Sequence, residues 1–511
     1  MAARLLAALL LFSALVSPAV AQWKTVDTFE SKGAYGLIII PENWKGGLFI
    51  YAHGYSADQR LIQPFPPDLT LLTGLTKLNV LFQATLLPTL SGYASATTTF
   101  RSPGWAVKDS LKDIENVRRY FVKKYGKPKH TYLWGHSGGG GITATLIEYM
   151  PKTYDGALPM CGWVAGARRN FDGAFDLRVM YEYACRDVPE ARFTCRVCSD
   201  GASRCLQDTD CPSHQTCGAA ETPSAPEDGL TRECTDFLLA HPEHFSESPT
   251  AVGGDFVSPP VTACFGNLSA DGPSTPNQLA RRDLFLRATQ IPESFVLTDM
   301  FFASIGMAEI VHRRTNGHHP WGNATVDYNS PLLTADERAA INSGVHRATE
   351  DADAVRYLSR FYEFRGRTAS KVLTVHALDD GLVIPENEDK YRQTFEASGR
   401  ANQLVQTFTA SGGHCGFISA LSPALTALTG WVERNQKPGA EALKASCAAC
   451  DFTTLTPGAW GLKVAERKQR TVPARAFVCD SATDCPTGTR CNTRRHRCQT
   501  PHATPPPSSG Y

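Results

Sequence analysis

The sequence predicts an α/β fold: a mostly parallel sheet with helices on both faces, a large insertion and small disulfide-rich modules. Three observations predict it. Strand and helix signals alternate through the first third of the chain and return near residue 366, the pattern of a parallel sheet whose crossovers are helices. A glycine-flanked serine, Gly135-His136-Ser137-Gly138-Gly139, sits where a strand signal gives way to a helix signal. Sixteen cysteines, ten of them in two clusters, lie in a chain that opens on a secretory leader.

The leader is 1–21. Arg4 supplies the charged start, residues 5–16 an apolar stretch, and Ala19-Val20-Ala21 a small-residue cleavage site. An apolar stretch of that length falls short of the roughly 20 residues that span a bilayer. Nothing later in the chain is expected to reach that length, which excludes an integral membrane segment. The expected location is secreted, periplasmic or cell-surface. Without the leader, basic and acidic side chains balance at 50 each. Neutrality argues against nucleic acid as a partner, because phosphate binding needs a basic face. With 42% hydrophobic and 20% charged residues, the composition is that of a globular protein rather than a disordered one.

The elements follow in order. Residues 35–40 and 47–53 are short apolar runs ending in turn residues, and 92–100 is rich in threonine and aromatics; all three read as strands. Residues 106–125 carry Val107, Leu111, Ile114, Val117, Tyr120 and Phe121 at helical spacing. A strand at 131–134, a helix at 139–149 and a strand at 156–161 complete a first core segment, 22–165. The alternation then stops over 166–365, an expected insertion with helical stretches at 335–344 and 354–364. It resumes over 366–436, with strands at 371–377 and 404–408 and helices at 385–397 and 417–435. An extension, 437–500, and a Pro/Ser-rich tail, 501–511, expected to be disordered, close the chain.

The two cysteine clusters repeat one another. Cys205, Cys211 and Cys217 have the same five-residue gaps as Cys479, Cys485 and Cys491, and both runs contain Thr-Asp-Cys-Pro. Cys234 and Cys498 extend them into modules at 195–234 and 479–498. Segments this short cannot bury a useful core, so cross-links are expected to hold them. Zinc is the competing reading. Only Cys195/Cys198 and Cys447/Cys450 are close pairs, and neither has a clear second half.

The chemistry centres on Ser137. A serine on a tight strand-to-helix turn needs small neighbours two positions before and after, and the turn lifts its hydroxyl above the strand ends. The N–H of Gly138, opening the helix, is then aimed where an oxyanion forms. A serine needs a base and the base an orienting carboxylate. His414, in Ser411-Gly412-Gly413-His414-Cys415-Gly416, and Asp380, in Leu378-Asp379-Asp380-Gly381, each follow an expected strand. Asp379 is the rival acid.

The order serine, acid, histidine, with His53-Gly54-Tyr55 after an early strand and His376-x3-Asp380-x2-Val383, resembles the α/β-hydrolase superfamily. The resemblance covers 22–165 and 366–436 and extends loosely to secreted esterases and prolyl-oligopeptidase-like hydrolases. It implies that Ser137 attacks an acyl carbon, His414 takes its proton and Asp380 holds the imidazole. Backbone N–H groups of Gly138 and of Tyr55, or Gly54, would form the oxyanion hole. No cofactor and no metal is implied. Tannase and feruloyl-esterase relatives carry a cysteine just before the serine, bonded to one just after the histidine. His136 occupies that position here, and Cys161 is the alternative partner for Cys415. The resemblance also makes 166–365 a lid.

Three activities are compatible with these residues. The first is a secreted serine hydrolase cleaving a carboxylic ester, small-molecule or polymeric, through an acyl-enzyme. The second is a peptidase or amidase with the same triad. The third is a surface or matrix-binding protein on a hydrolase scaffold. Within the insertion, His312, His318 and His319 are weighed as metal ligands against a loop packed on Trp321. Asn267-Leu-Ser269 and Asn323-Ala-Thr325 match the glycosylation pattern.

Overall fold

The computed structural model describes residues 23–66, 69, 77–245, 254–268, 272–453, 490–492 and 497–499. The leader, the tail and most of the second cysteine module fall outside the described residues. A central sheet organises the rest. Its strands are β1 (Trp23–Ser31), β2 (Ala34–Pro41), β3 (Gly47–Ala52), β4 (Ala94–Thr98), β5 (His130–His136) and β6 (Gly156–Met160). A separate small sheet is formed by β7 (Arg196–Cys198), β8 (Arg204–Cys205) and β9 (Cys217–Ala220). The central sheet then continues with β10 (Lys371–Ala377), β11 (Leu404–Thr409) and β12 (Phe452–Thr453).

The order across the central sheet is β1-β2-β4-β3-β5-β6-β10-β11-β12. From β4 to β11 every pairing is parallel, and β1, β2 and β12 join antiparallel at the margins. The β1–β2 hairpin turns through Lys32 and Gly33, both with positive φ, the backbone of a two-residue turn that matches strand twist. β1 shows alternating half-burial while β3 is buried at every position, as expected of an edge strand and a strand covered on both faces.

Alternate residues of each strand enter two cores. Leu48, Ile50, Leu133 and Ala157 meet Ile114, Val117 and Phe121 of the helix Val107–Tyr125 and Leu146 of the helix Gly138–Tyr149. Phe49, Tyr51, Tyr132, Trp134 and Val375 face the other way, onto Leu425 and Leu428 of the helix Ile418–Arg434. The parallel strands therefore deliver their C-terminal ends to one rim, where open α/β sheets place their ligands.

Between β6 and β10 the chain is mainly helical, with the β7–β9 sheet held by Cys198–Cys211 and Cys205–Cys217. Cys195–Cys234 and Cys185–Cys264 tie this region further, and Cys447 bonds Cys450. The close pairs weighed as zinc ligands are thus disulfide-bonded. In the second module Cys491 and Cys498 stand opposite one another on β13 (Arg490–Asn492) and β14 (Arg497–Gln499).

One expectation needs correction. The helical run Glu293–Arg314 is 22 residues long and, by length and apolar composition, matches a membrane span. Asp299 and Glu309 interrupt its apolar pattern in the sequence. Both are buried, and 72% of its apolar window lies inside the protein, so it is a core helix. Glu309 accepts from the Trp105 N–H at 2.8 Å and from Arg314 Nε at 2.7 Å, joining this helix to the sheet region.

The histidines weighed as ligands have separate partners. His312 Nε2–H donates to Leu230 O, His319 Nδ1–H donates to Trp321 O, and His318 pairs with Asp351. Trp321 is fully buried, its Nε1–H donating to Glu227 O at 2.8 Å. Asn323 does not suit glycosylation in the folded chain. Its amide is buried, donating to Tyr328 Oη and His346 O and accepting from the Ala348 N–H. Of the other sequon, Ser269 lies outside the described residues.

Candidate active site

Ser137 sits between β5 and the helix Gly138–Tyr149 with φ 55° and ψ −123°. A non-glycine residue holds such angles only where its surroundings enforce them. Here the glycines let the helix press onto the sheet. A Cβ on Gly135 would lie 2.5 Å from Ala52 O, and one on Gly139 would collide with the same carbonyl. The serine N–H donates to Met160 O at 3.0 Å, which anchors the turn to β6.

β10 and β11 follow β6 in the sheet and end at the same rim, where the N–H of Leu378, just after β10, donates to O of Thr409, the last residue of β11. The loop after β11 carries His414, and the loop after β10 carries Asp380. His414 Nε2 stands 2.8 Å from Ser137 Oγ, and His414 Nδ1 stands 2.8 Å from Asp380 Oδ2. A carboxylate only accepts, so Nδ1 carries the proton and Nε2 is left to accept the serine O–H. Three side chains spread over 277 residues of sequence thus form one hydrogen-bonded line.

The two aspartates have different partners. Asp379 accepts from the N–H groups of Gly412 and Gly413, at 3.2 and 2.7 Å, and braces the loop that carries His414. Asp380 reaches the imidazole, and its Oδ1 accepts from the N–H groups of Leu382 and Val383. Burial would raise the Asp380 pKa, yet His414 and His376 beside it hold it well below the carboxylate range.

Cys161 bonds Cys415. The bridge fastens the residue after β6 to the residue after His414, and Cys161 Sγ lies 3.3 Å from the Ser137 N–H. His136, where the resemblance would place a cysteine, shares a hydrogen bond between its Nδ1 and Tyr51 Oη. Burial, reinforced by His414 and His53, lowers its pKa to about 4, so the ring is neutral at pH 7.

The residues expected to form an oxyanion hole lie beside Ser137. A Cβ on Gly138 would be 2.8 Å from Tyr55 N, and one on Gly54 would be 3.4 Å from Ser137 Cβ. Tyr55, Ser137 and Gly138 line a cleft of about 670 Å³, part of it open to solvent, whose walls include Trp105, Trp163 and Phe302. Phe302 belongs to the 166–365 segment. So does Phe295, whose ring stands 2.6 Å from where a Gly381 Cβ would be and 3.5 Å from where a Gly413 Cβ would be. That aromatic therefore rests against both the acid-bearing and histidine-bearing loops.

Glu388 carries no distinguishing mark in the sequence. Glu388 is fully buried behind Asp380, with Oε1 3.3 Å from His376 Nδ1. It lies in the first turn of the helix Glu386–Ala397 beside Glu386 and Asp389, where acidic residues are the rule.

No protein-family model and no curated protein matches the sequence. Among solved structures the chain is similar to an esterase from Aspergillus oryzae, at 12% identity and a TM-score of 0.41 over 81% of this chain and 80% of that one. It is also similar to Candida antarctica lipase A, at 12% identity and 0.38 over 80% and 75%. A third similarity is to Pyrococcus horikoshii acylaminoacyl peptidase, at 9% identity and 0.32, covering 82% of this chain but 42% of that chain. The order and direction of its own strands, with a strand–serine–helix turn at the rim and long loops after β10 and β11, give the chain the α/β-hydrolase fold.

Proposed function

We propose that the protein is a secreted serine hydrolase that cleaves a carboxylic ester through an acyl-enzyme on Ser137. The observation that carries this reading is the line Ser137 Oγ, His414 Nε2, His414 Nδ1, Asp380 Oδ2, with both steps at 2.8 Å. Attack by Ser137 Oγ on the ester carbon passes the hydroxyl proton to His414 Nε2. The carbonyl oxygen, now an oxyanion, accepts from the N–H groups of Gly138 and Tyr55. A donor of this kind lowers the barrier by about 3 kcal/mol. Asp380 stabilises the imidazolium without taking its proton. His414 then protonates the departing alkoxide oxygen, and the acyl group stays on Ser137. Water repeats the sequence and releases the acid.

The 166–365 segment acts as the lid and specificity wall, supported by Phe302 in the cleft and Phe295 against both loops. Six disulfides among the described residues support an oxidising compartment, as the leader does. Aryl esters compared with matched aminoacyl and peptidyl anilides test the leaving group. Ester turnover with an initial burst of released phenol is the expected result. Anilide cleavage of equal efficiency would move the assignment to an amidase.

A further inference from the structure

His376, one residue before the end of β10, is fully buried, and both edges of its ring face acceptors. Nε2 is 2.6 Å from Val383 O and 3.3 Å from Asp380 Oδ2. Nδ1 is 3.3 Å from Glu388 Oε1. A carbonyl oxygen and carboxylates only accept, so a ring satisfied on both edges carries a proton on each nitrogen. Glu388 is held for this task. Its Oε2 accepts from Thr374 Oγ1–H at 2.7 Å and from Gln406 Nε2–H at 2.6 Å, which leaves Oε1 for the ring.

We propose that His376 is a positioning residue, a buried imidazolium that bridges Glu388 to Asp380 and fixes, in place and in charge, the carboxylate that faces His414. Its catalytic consequence rests on the reading of Ser137, His414 and Asp380 as a triad; its charge does not. The groups around it come from several elements. Asp380 faces it from the loop after β10 and Glu388 from the helix Glu386–Ala397. Beyond them His414 bonds Asp380, while Tyr391 and Glu148 lie on the Glu388 side. Burial alone would drive the ring to neutrality, but the bonds to Asp380 and Glu388 hold its pKa far above the ordinary imidazole value. Two buried carboxylates with no cation between them would not both stay ionised. The imidazolium lets Asp380 remain charged in the interior, where it faces His414.

Histidine-labelled protein tests this directly by nuclear magnetic resonance, with the His376 signal assigned by its loss in His376→Gln or its shift in Glu388→Gln. The expected result is a doubly protonated ring that does not titrate between about pH 5.5 and 8.5, and that does titrate there in Glu388→Gln. A neutral wild-type ring at pH 7 overturns the proposal. In ester hydrolysis, the acid limb of kcat/KM in His376→Gln moves to higher pH by about one unit, the order expected for loss of a nearby unit charge. A structural role alone lowers kcat and leaves the limb in place, which also overturns the proposal. Failure of wild-type protein to take a fluorophosphonate would remove the triad reading while the ring's charge is still measured.

Discussion

Cys161 and Cys415 join the end of β6 to the loop that carries His414, so one covalent bridge spans the two segments that hold the serine and imidazole in register. Cys415→Ser is expected to destabilise the fold by about 2–4 kcal/mol. Displacement of the histidine by about 1 Å is expected to cost about 100-fold in kcat/KM. Urea unfolding and ester kinetics on the same preparation check both. Full activity at unchanged stability would show that the loop is held by Asp379 alone.

Gly139→Ala tests the close approach at the turn. The added methyl collides with Ala52 O, a backbone atom that cannot swing aside. Overpacking of this kind costs about 1–3 kcal/mol, and relief requires the helix to lift and carry Ser137 away from His414. The expected outcome is a lower urea midpoint together with loss of esterase activity.

Asp379 and Asp380 are adjacent but separable. In Asp380→Asn the remaining oxygen stays on the Leu382 and Val383 N–H groups and an NH2 donor faces His414 Nδ1, which reverses the tautomer, and a fall in kcat of about 10⁴-fold is expected. Asp379→Asn weakens a loop brace and keeps one acceptor oxygen, so a fall of about tenfold or less is expected. Steady-state kinetics of the two variants decide the assignment, and equal losses would contradict it.

His136 gives the fold an acid-sensitive element. Its folded pKa is about 4, lowered first by burial and then by His414 and His53. The unfolded chain protonates near the ordinary value of about 6.5. Between these values the unfolded state binds the proton and the folded state does not, so stability falls as pH drops from about 6.5 towards 4. His136→Gln removes this contribution, on the order of 2 kcal/mol across that window. Urea midpoints measured at intervals of half a pH unit should show a flatter curve for the variant, and parallel curves would exclude the effect.

The sheet was legible because its central strands are buried on both faces, so Leu48–Ala52 and Tyr132–Trp134 stand as unbroken apolar runs. Helix 106–125 was legible for the opposite reason, its single inward stripe of Leu111, Ile114, Val117 and Phe121. The serine turn and the two loops were readable because their geometry demands glycine at particular positions. The 166–365 segment was not. The helix Ala167–Ala184 is buried on nearly every side and carries Asp172, Asp176 and Arg178 inside, which erases an amphipathic pattern. The helix Gly254–Phe265 contains Pro259 and Pro260, residues that ordinarily mark a break. β1 is an edge strand with half-buried alternation and few apolar residues. Glu388 was hidden by its setting, since a first-turn glutamate among other acids reads as solvent-facing unless the packing behind it is known.

Covalent labelling tests the central claim most directly. Native protein treated with a fluorophosphonate should take up one equivalent, and peptide mapping should place it on Ser137. Ser137→Ala should take none, and His414→Ala should react at least about 1,000-fold more slowly. Label on another residue, or equal uptake by Ser137→Ala, would contradict the account.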